Sequence, residues 1–194
     1  MGMRLFDFLR DNKGDIQEAW VNRVLDSYAG DAATIFKRET DRFANPVGYA
    51  ARHSLTAIYS QLFDHDTPQF ERVRETLEDF VKIRAVQDFT PAAAVNFVYD
   101  LKEVVRRATD KERQLTVDDA DWRAFHDTLD RVALQVFDLY MACRERLYQA
   151  RLHEYKSMNH MFTQHGCPSA PLADQTTKFM ADVNSLHTHS NEAR

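Results

Sequence analysis

Across 194 residues the chain has only 5 glycines, 5 prolines and 2 cysteines. So few chain breakers leave little material for the repeated tight turns of a sheet protein and favour long periodic runs of helix. Cys143 and Cys167 form no CxxC or similar pair, which excludes a disulfide framework and makes a reducing cytoplasm the expected compartment. Positive charge is not in excess either, with 25 Lys and Arg against 30 Asp and Glu and a net charge of -5. Phosphate neutralisation needs a clustered basic surface, so nucleic acid is not an expected partner. No apolar run approaches the roughly 20 residues of a membrane span, and Met1 to Phe6 holds neither an apolar leader nor a myristoylation signal, since Phe6 stands where Ser or Thr belongs. Nucleophile elbows, glycine-rich phosphate loops and HExxH helices are absent as well, so no catalytic residue is assigned. Glu78-Asp79 and Asp118-Asp119 read as a solvated face and a helix N-terminus.

What the chain does have is apolar content of 44% with 28% charge, the balance of a globular protein, in a length that suits one domain with an extension. Leu5, Phe8 and Leu9, then Ile16, Trp20, Val24 and Tyr28, are spaced as a helical face with a break at Asn12-Lys13-Gly14. A short amphipathic turn carries Ile35 and Phe36. Asn45-Pro46 and Thr90-Pro91 are helix starts: the side-chain oxygen caps a free backbone N–H, and proline fits the first helical position. Thr67-Pro68 reads as a third. The expected helices run from Pro46 to about Phe63, from Pro68 to about Gln87, and from Pro91 along Ala94, Val98, Leu101 and Val105.

The sequence is organised around the corner between the last two of these. Phe70, Val73, Leu77, Phe80 and Val81 form an apolar stripe, and its next turn lands on Arg84. An arginine in a core-facing slot is expected to be more than half buried and to hold a carboxylate, either Asp88 one turn on or Asp41. Gln87, Asn45 and Asn96 are candidates to line the same corner. Two readings stay open: a fixed polar corner that holds two helices, or a pocket that senses a small molecule.

No glycine or proline interrupts the chain from Asp118 to His165, a potential helix on the order of 70 Å long. Leu129, Val132, Val136, Leu139 and Cys143 form a three-four seam that suits a helix pair, within the domain or across a homodimer. Beyond it Leu147, Tyr155, Met158 and Phe162 sit among charges, and the residues after Gly166 are a polar tail. The expected division is a domain over 1–152 and an extension over 153–194.

Asp41-Arg42-Phe43-Ala44-Asn45-Pro46-Val47-Gly48 and Ile83-Arg84-Ala85-Val86-Gln87-Asp88-Phe89-Thr90-Pro91 together resemble the N-terminal domain family of RsbR and RsbRD, the RsbT co-antagonists of the bacterial stressosome. The likeness runs from about Leu5 to Leu152, helped by Asn12-Lys13, Ile16, Trp20 and Leu101-Lys102. It implies an all-α, globin-like helical bundle without haem, dimeric, with a long C-terminal helix extending from the domain toward an output domain. In the stress proteins that output is a STAS domain, and this sequence ends about where one would begin. The expected function is therefore that of a stand-alone regulatory or sensory module working through protein contacts, with no cofactor and no metal. The alternative is a globin-like protein that binds a small molecule, haem or a redox cofactor. Against haem, His53 is a poor proximal ligand beside Ala50, Ala57 and Ser60, and there is no CxxCH motif. His160, His165, Cys167, His187 and His189 fit none of the usual zinc spacings and read as a solvated tail.

Overall fold

The asparagine at 45 shows how local chemistry starts an element here. In the computed structural model its side-chain Oδ1 accepts from Gly48 N at 2.8 Å while Nδ2 donates to Phe36 O at 3.0 Å, and Pro46 occupies the first turn. The structure describes residues 4–164 apart from 29, 30, 39, 40, 88, 113, 114 and 116, and only the backbone of 31, 32 and 159–164. Among the described residues there are seven helices and no strand: α1 (Leu5–Asp11), α2 (Lys13–Leu25), α3 (Asp31–Arg38), α4 (Pro46–Phe63), α5 (Phe70–Val86), α6 (Pro91–Lys111) and α7 (Asp119–Gln164). The chain is all-α with a long C-terminal helix.

Two compact units divide it, residues 1–149 and 150–194. In the first, α2 lies against both α4 and α6, and α4 pairs along α5. Their buried faces enclose one core to which α7 adds Phe125, Leu129, Val132, Val136, Leu139 and Tyr140. The large aromatic groups spend their polar atoms on backbone carbonyls: Trp20 Nε1 donates to Phe97 O at 2.7 Å and Tyr59 Oη to Leu9 O at 2.9 Å. Each ties two helices together without leaving a buried donor unpaired. In the second unit the described part of α7 exposes Tyr155 and Met158.

The starts and breaks differ from expectation in two places. The break between the first helices shrinks to Asn12, with Gly14 inside α2, because Ile16 N still donates to Asn12 O and the hydrogen-bonded path runs almost unbroken. Pro68 does not open α5. Gln69 N donates to Gln61 O at 2.9 Å, which folds residues 64–69 back on the end of α4, so α5 begins at Phe70 with no side-chain cap. The Thr90 cap is present, accepting from Ala93 N at 3.2 Å, and Asp118 Oδ1 accepts from Asp121 N at 2.7 Å ahead of α7.

Two measurements test this account of the fold. A Cβ on Gly48 would lie 2.2 Å from Asn45 Nδ2 and 2.7 Å from Oδ1. Alanine for glycine ordinarily adds about 1 kcal/mol to a helix interior, but Gly48→Ala is expected to cost about 1–2 kcal/mol in urea denaturation by displacing the buried cap. A midpoint at or above wild type would show that the cap is dispensable. Tyr59 supplies the pH test: its burial, and secondarily the charge of Asp64, raise the phenol above the usual tyrosine value. The folded state thus favours the protonated form, a contribution intact below the unfolded value of about 10 and lost as pH rises beyond it. Stability should fall above about pH 10, and Tyr59→Phe should flatten that fall while costing about 1 kcal/mol at neutral pH. An unchanged alkaline slope in Tyr59→Phe would refute the assignment.

Candidate functional site at the α5–α6 corner

The stripe of Val73, Leu77 and Phe80 is buried, and the same helical phase carries Arg84 inward until it is 1% exposed. Its Cζ lies 4.1 Å from the Phe89 ring centroid, 5.6 Å from Phe80 and 5.7 Å from both Tyr28 and Phe97. Nη2 donates to Ala93 O, in the first turn of α6, at 3.0 Å. Nε and Nη1 are buried without a hydrogen-bond partner, and so is Tyr28 Oη. The phenol is near enough for each group to influence the other's ionisation, although no well-formed hydrogen bond joins them. Burial lowers the affinity of Arg84 for its proton, opposed by Tyr28 and Asp100, and burial raises the Tyr28 phenol, opposed by Arg84. A guanidinium keeps its charge even so. Asp100 cannot act as a dedicated counter-ion, since it already accepts from Arg23 Nε at 2.6 Å and Asn96 Nδ2 at 3.3 Å.

A second layer holds this cage in place. Tyr28 meets Phe36 and Phe89 edge-on, with centroids 5.2 and 5.3 Å apart, and the Phe36 carbonyl is the one bonded by Asn45. From α7, Tyr140 Oη donates to Phe89 O and Arg144 Nη1 donates to Ala85 O at 3.3 Å. Those carbonyls lie at and just past the end of α5, where the helix offers them no donor of its own. Side chains of α7 thus complete the corner.

Of the residues expected at the corner, Arg84 is in it and Asn45 supports it from the second layer. Gln87 is exposed at the end of α5, and Asn96 is exposed on α6. Asp41 is exposed and accepts from Phe43 N and Ala44 N, which holds its carboxylate below the usual range. Asp88 lies outside the described residues. Of the two carboxylates expected for Arg84, Asp41 is corrected, since it is exposed and accepts from its own turn; among the described residues Arg84 has no ion pair, and aromatic rings and one carbonyl lie around it. Tyr28, Phe89, Tyr140 and Arg144 were not assigned to the corner from sequence, though Tyr28 ends the stripe of α2 and could have been placed on the buried face. His53 is exposed and stacks on Tyr49. Among the described residues no three His, Cys, Asp or Glu side chains gather as for a metal; His165, Cys167, His187 and His189, and the side chain of His160, lie outside them.

The seam of Leu129, Val132, Val136, Leu139 and Cys143 is corrected as a dimer interface. All five are buried in the core of their own chain, so this face of α7 is already covered.

Fold and corner define an all-α domain closed around a buried cation and completed by its long last helix. The chain belongs to the family described as RsbT co-antagonist protein rsbRD N-terminal domain, which matches residues 14–154 and so takes in the whole corner. No curated protein and no solved structure matches it. No helix among the described residues is long and apolar enough to cross a membrane.

Because Arg84 has no ion pair among the described residues, its replacement should depend on shape. Arg84→Ala opens a cavity and should cost about 2–5 kcal/mol, whereas Arg84→Met, apolar and of similar length, should fall within about 1 kcal/mol of wild type or above it. Calorimetric melting of both variants checks this. An equally severe loss in both would mean that the charge itself holds the corner.

Proposed function

We propose that this chain is a non-enzymatic regulatory module of the stressosome-related sensory class, working in the cytoplasm through protein contacts, and that it pairs with a second copy through the outer face of α7. Membership in a family named for RsbT co-antagonists supports the regulatory part. One observation carries the pairing: Leu134, Phe137, Met141 and Tyr148 recur along α7 at intervals of three, four and seven and are all exposed, Leu134 to 68%. They continue onto α6, where Pro91, Ala92, Val95 and Tyr99 line a groove of about 600 Å³ with Leu134 and Phe137.

Three half-exposed aromatics, Tyr99, Phe137 and Tyr148, stand with Leu134 and Met141 on this surface, and such an apolar grouping marks a contact site. It suits the apolar centre of an interface of roughly 800 Å² per partner. A twofold axis beside α7 would set this stripe against itself, with no second surface required. The helix that pairs the copies also carries Tyr140 and Arg144, so a change at the corner is felt at the pairing helix.

Sedimentation equilibrium tests the proposal. The full chain should be dimeric at micromolar concentration, and Leu134→Asp with Phe137→Asp should be monomeric with an unchanged helical circular dichroism spectrum. A monomeric wild type, or a double variant that stays dimeric, would sink it.

A further inference from the structure

A groove of about 620 Å³ runs between α2 and α6 and shares no lining residue with the Arg84 cage or with the outer face of α7. That volume is in the range of small-molecule sites, roughly 300–1,000 Å³. Phe8, Ile16 and Val104 are buried beneath it, while Ala19 of α2 and Ala108 of α6 have no side chain beyond Cβ with which to fill it. Its two walls differ in sign. Along α2 and its C-cap, Asp15, Ala19, Asn22 and Asp26 recur at intervals of four, three and four, one face of a helix over about 16 Å. Along α6, Arg107 and Lys111 stand one turn apart on the opposite wall. Among the described residues no ion pair bridges the walls: Asp26 pairs with Lys37, Arg23 with Asp100 and Arg107 with Glu103. The side chains of Asp15, Asn22 and Lys111 hold neither a hydrogen bond nor an ion pair there. The helices cannot close the gap, because Trp20 Nε1 is bonded to Phe97 O beside it and fixes α2 on α6.

We propose that the α2–α6 groove is a binding site for a small zwitterion of the amino-acid class, with its ammonium group on Asp15, its carboxylate on Lys111 and its body over Ala19 and Ala108 beside the Asn22 amide. Opposed walls select for this charge pattern. A dication gains at the α2 carboxylates and is repelled by Arg107 and Lys111; a dianion meets the reverse; a molecule carrying both charges gains at both walls. Binding here does not depend on the regulatory reading or on pairing through α7.

Three probes of the same four-carbon length provide the test: the zwitterion 4-aminobutanoate, the dication of butane-1,4-diamine and the dianion succinate, each titrated into the full chain and followed by proton–nitrogen NMR. The zwitterion should give saturable shifts at the amides of Ala19, Asn22 and Ala108 and should bind about fivefold or more tightly than either other probe, the scale of one surface ion pair. Asp15→Asn should weaken 4-aminobutanoate about fivefold and leave succinate unchanged, Lys111→Gln should weaken it equally and leave the diamine unchanged, and Ala19→Leu should abolish the shifts by filling the groove. Asp15, Ala19 and Lys111 are exposed, so these variants keep the fold. No saturable shift in wild type, equal affinity for the three probes, or binding that survives Ala19→Leu overturns the proposal. Sedimentation does not enter this readout, so the pairing and the zwitterion site can fail separately.

Discussion

A buried guanidinium packed among aromatic rings is the constraint that shapes this domain. Arg84 cannot shed its charge, so everything packed against it has to tolerate a cation. Rings from the turn after α2, from α5, from α6 and from the corner itself do so through their electron-rich faces, each contact contributing on the order of 0.5–2 kcal/mol against a desolvation cost of several. The first turn of α6 adds a carbonyl acceptor. At this point the aromatic residues of neighbouring helices converge on one charge.

The same corner explains why α7 belongs to the domain. A helix end leaves carbonyls without intrahelical donors, and where the end is buried, water cannot supply them. Tyr140 and Arg144 reach across from α7 to Phe89 O and Ala85 O. A helix whose buried face is spent on the core and on these carbonyls still has an outer face, and there Leu134, Phe137, Met141 and Tyr148 stand in water. One helix therefore serves packing on one side and offers an apolar surface on the other, which is the arrangement a relay between a buried corner and a partner needs.

Much of this was legible in the residues. Asn45-Pro46 and Thr90-Pro91 mark α4 and α6 because capping and proline geometry are local properties that no distant contact has to complete. Thr67-Pro68 looks the same on paper, yet a single long-range bond from Gln69 N to Gln61 O keeps it in the loop. The stripe of α5 placed Arg84 in the core through a 3.6-residue period, which is also local. On α7 the period was legible and its destination was not: a three-four seam has the same spacing whether it meets its own domain, as it does here, or another copy.

What the sequence by itself determined is the set of helices, their buried faces, the inward arginine and the likeness to the RsbRD N-terminal family, because periodicity, capping and short motifs are written in neighbouring residues. Only the tertiary structure decided what Arg84 meets. Its neighbours come from positions 28, 80, 89, 93 and 97, and the α7 side chains that finish the corner come from 140 and 144. A carboxylate at 41 or 88 is the better guess from chemistry alone, since opposite charges attract over any spacing a sequence can show. Among the described residues rings surround it, because the fold brings aromatic residues to that point from separate parts of the chain, and such a meeting leaves no local trace in the sequence.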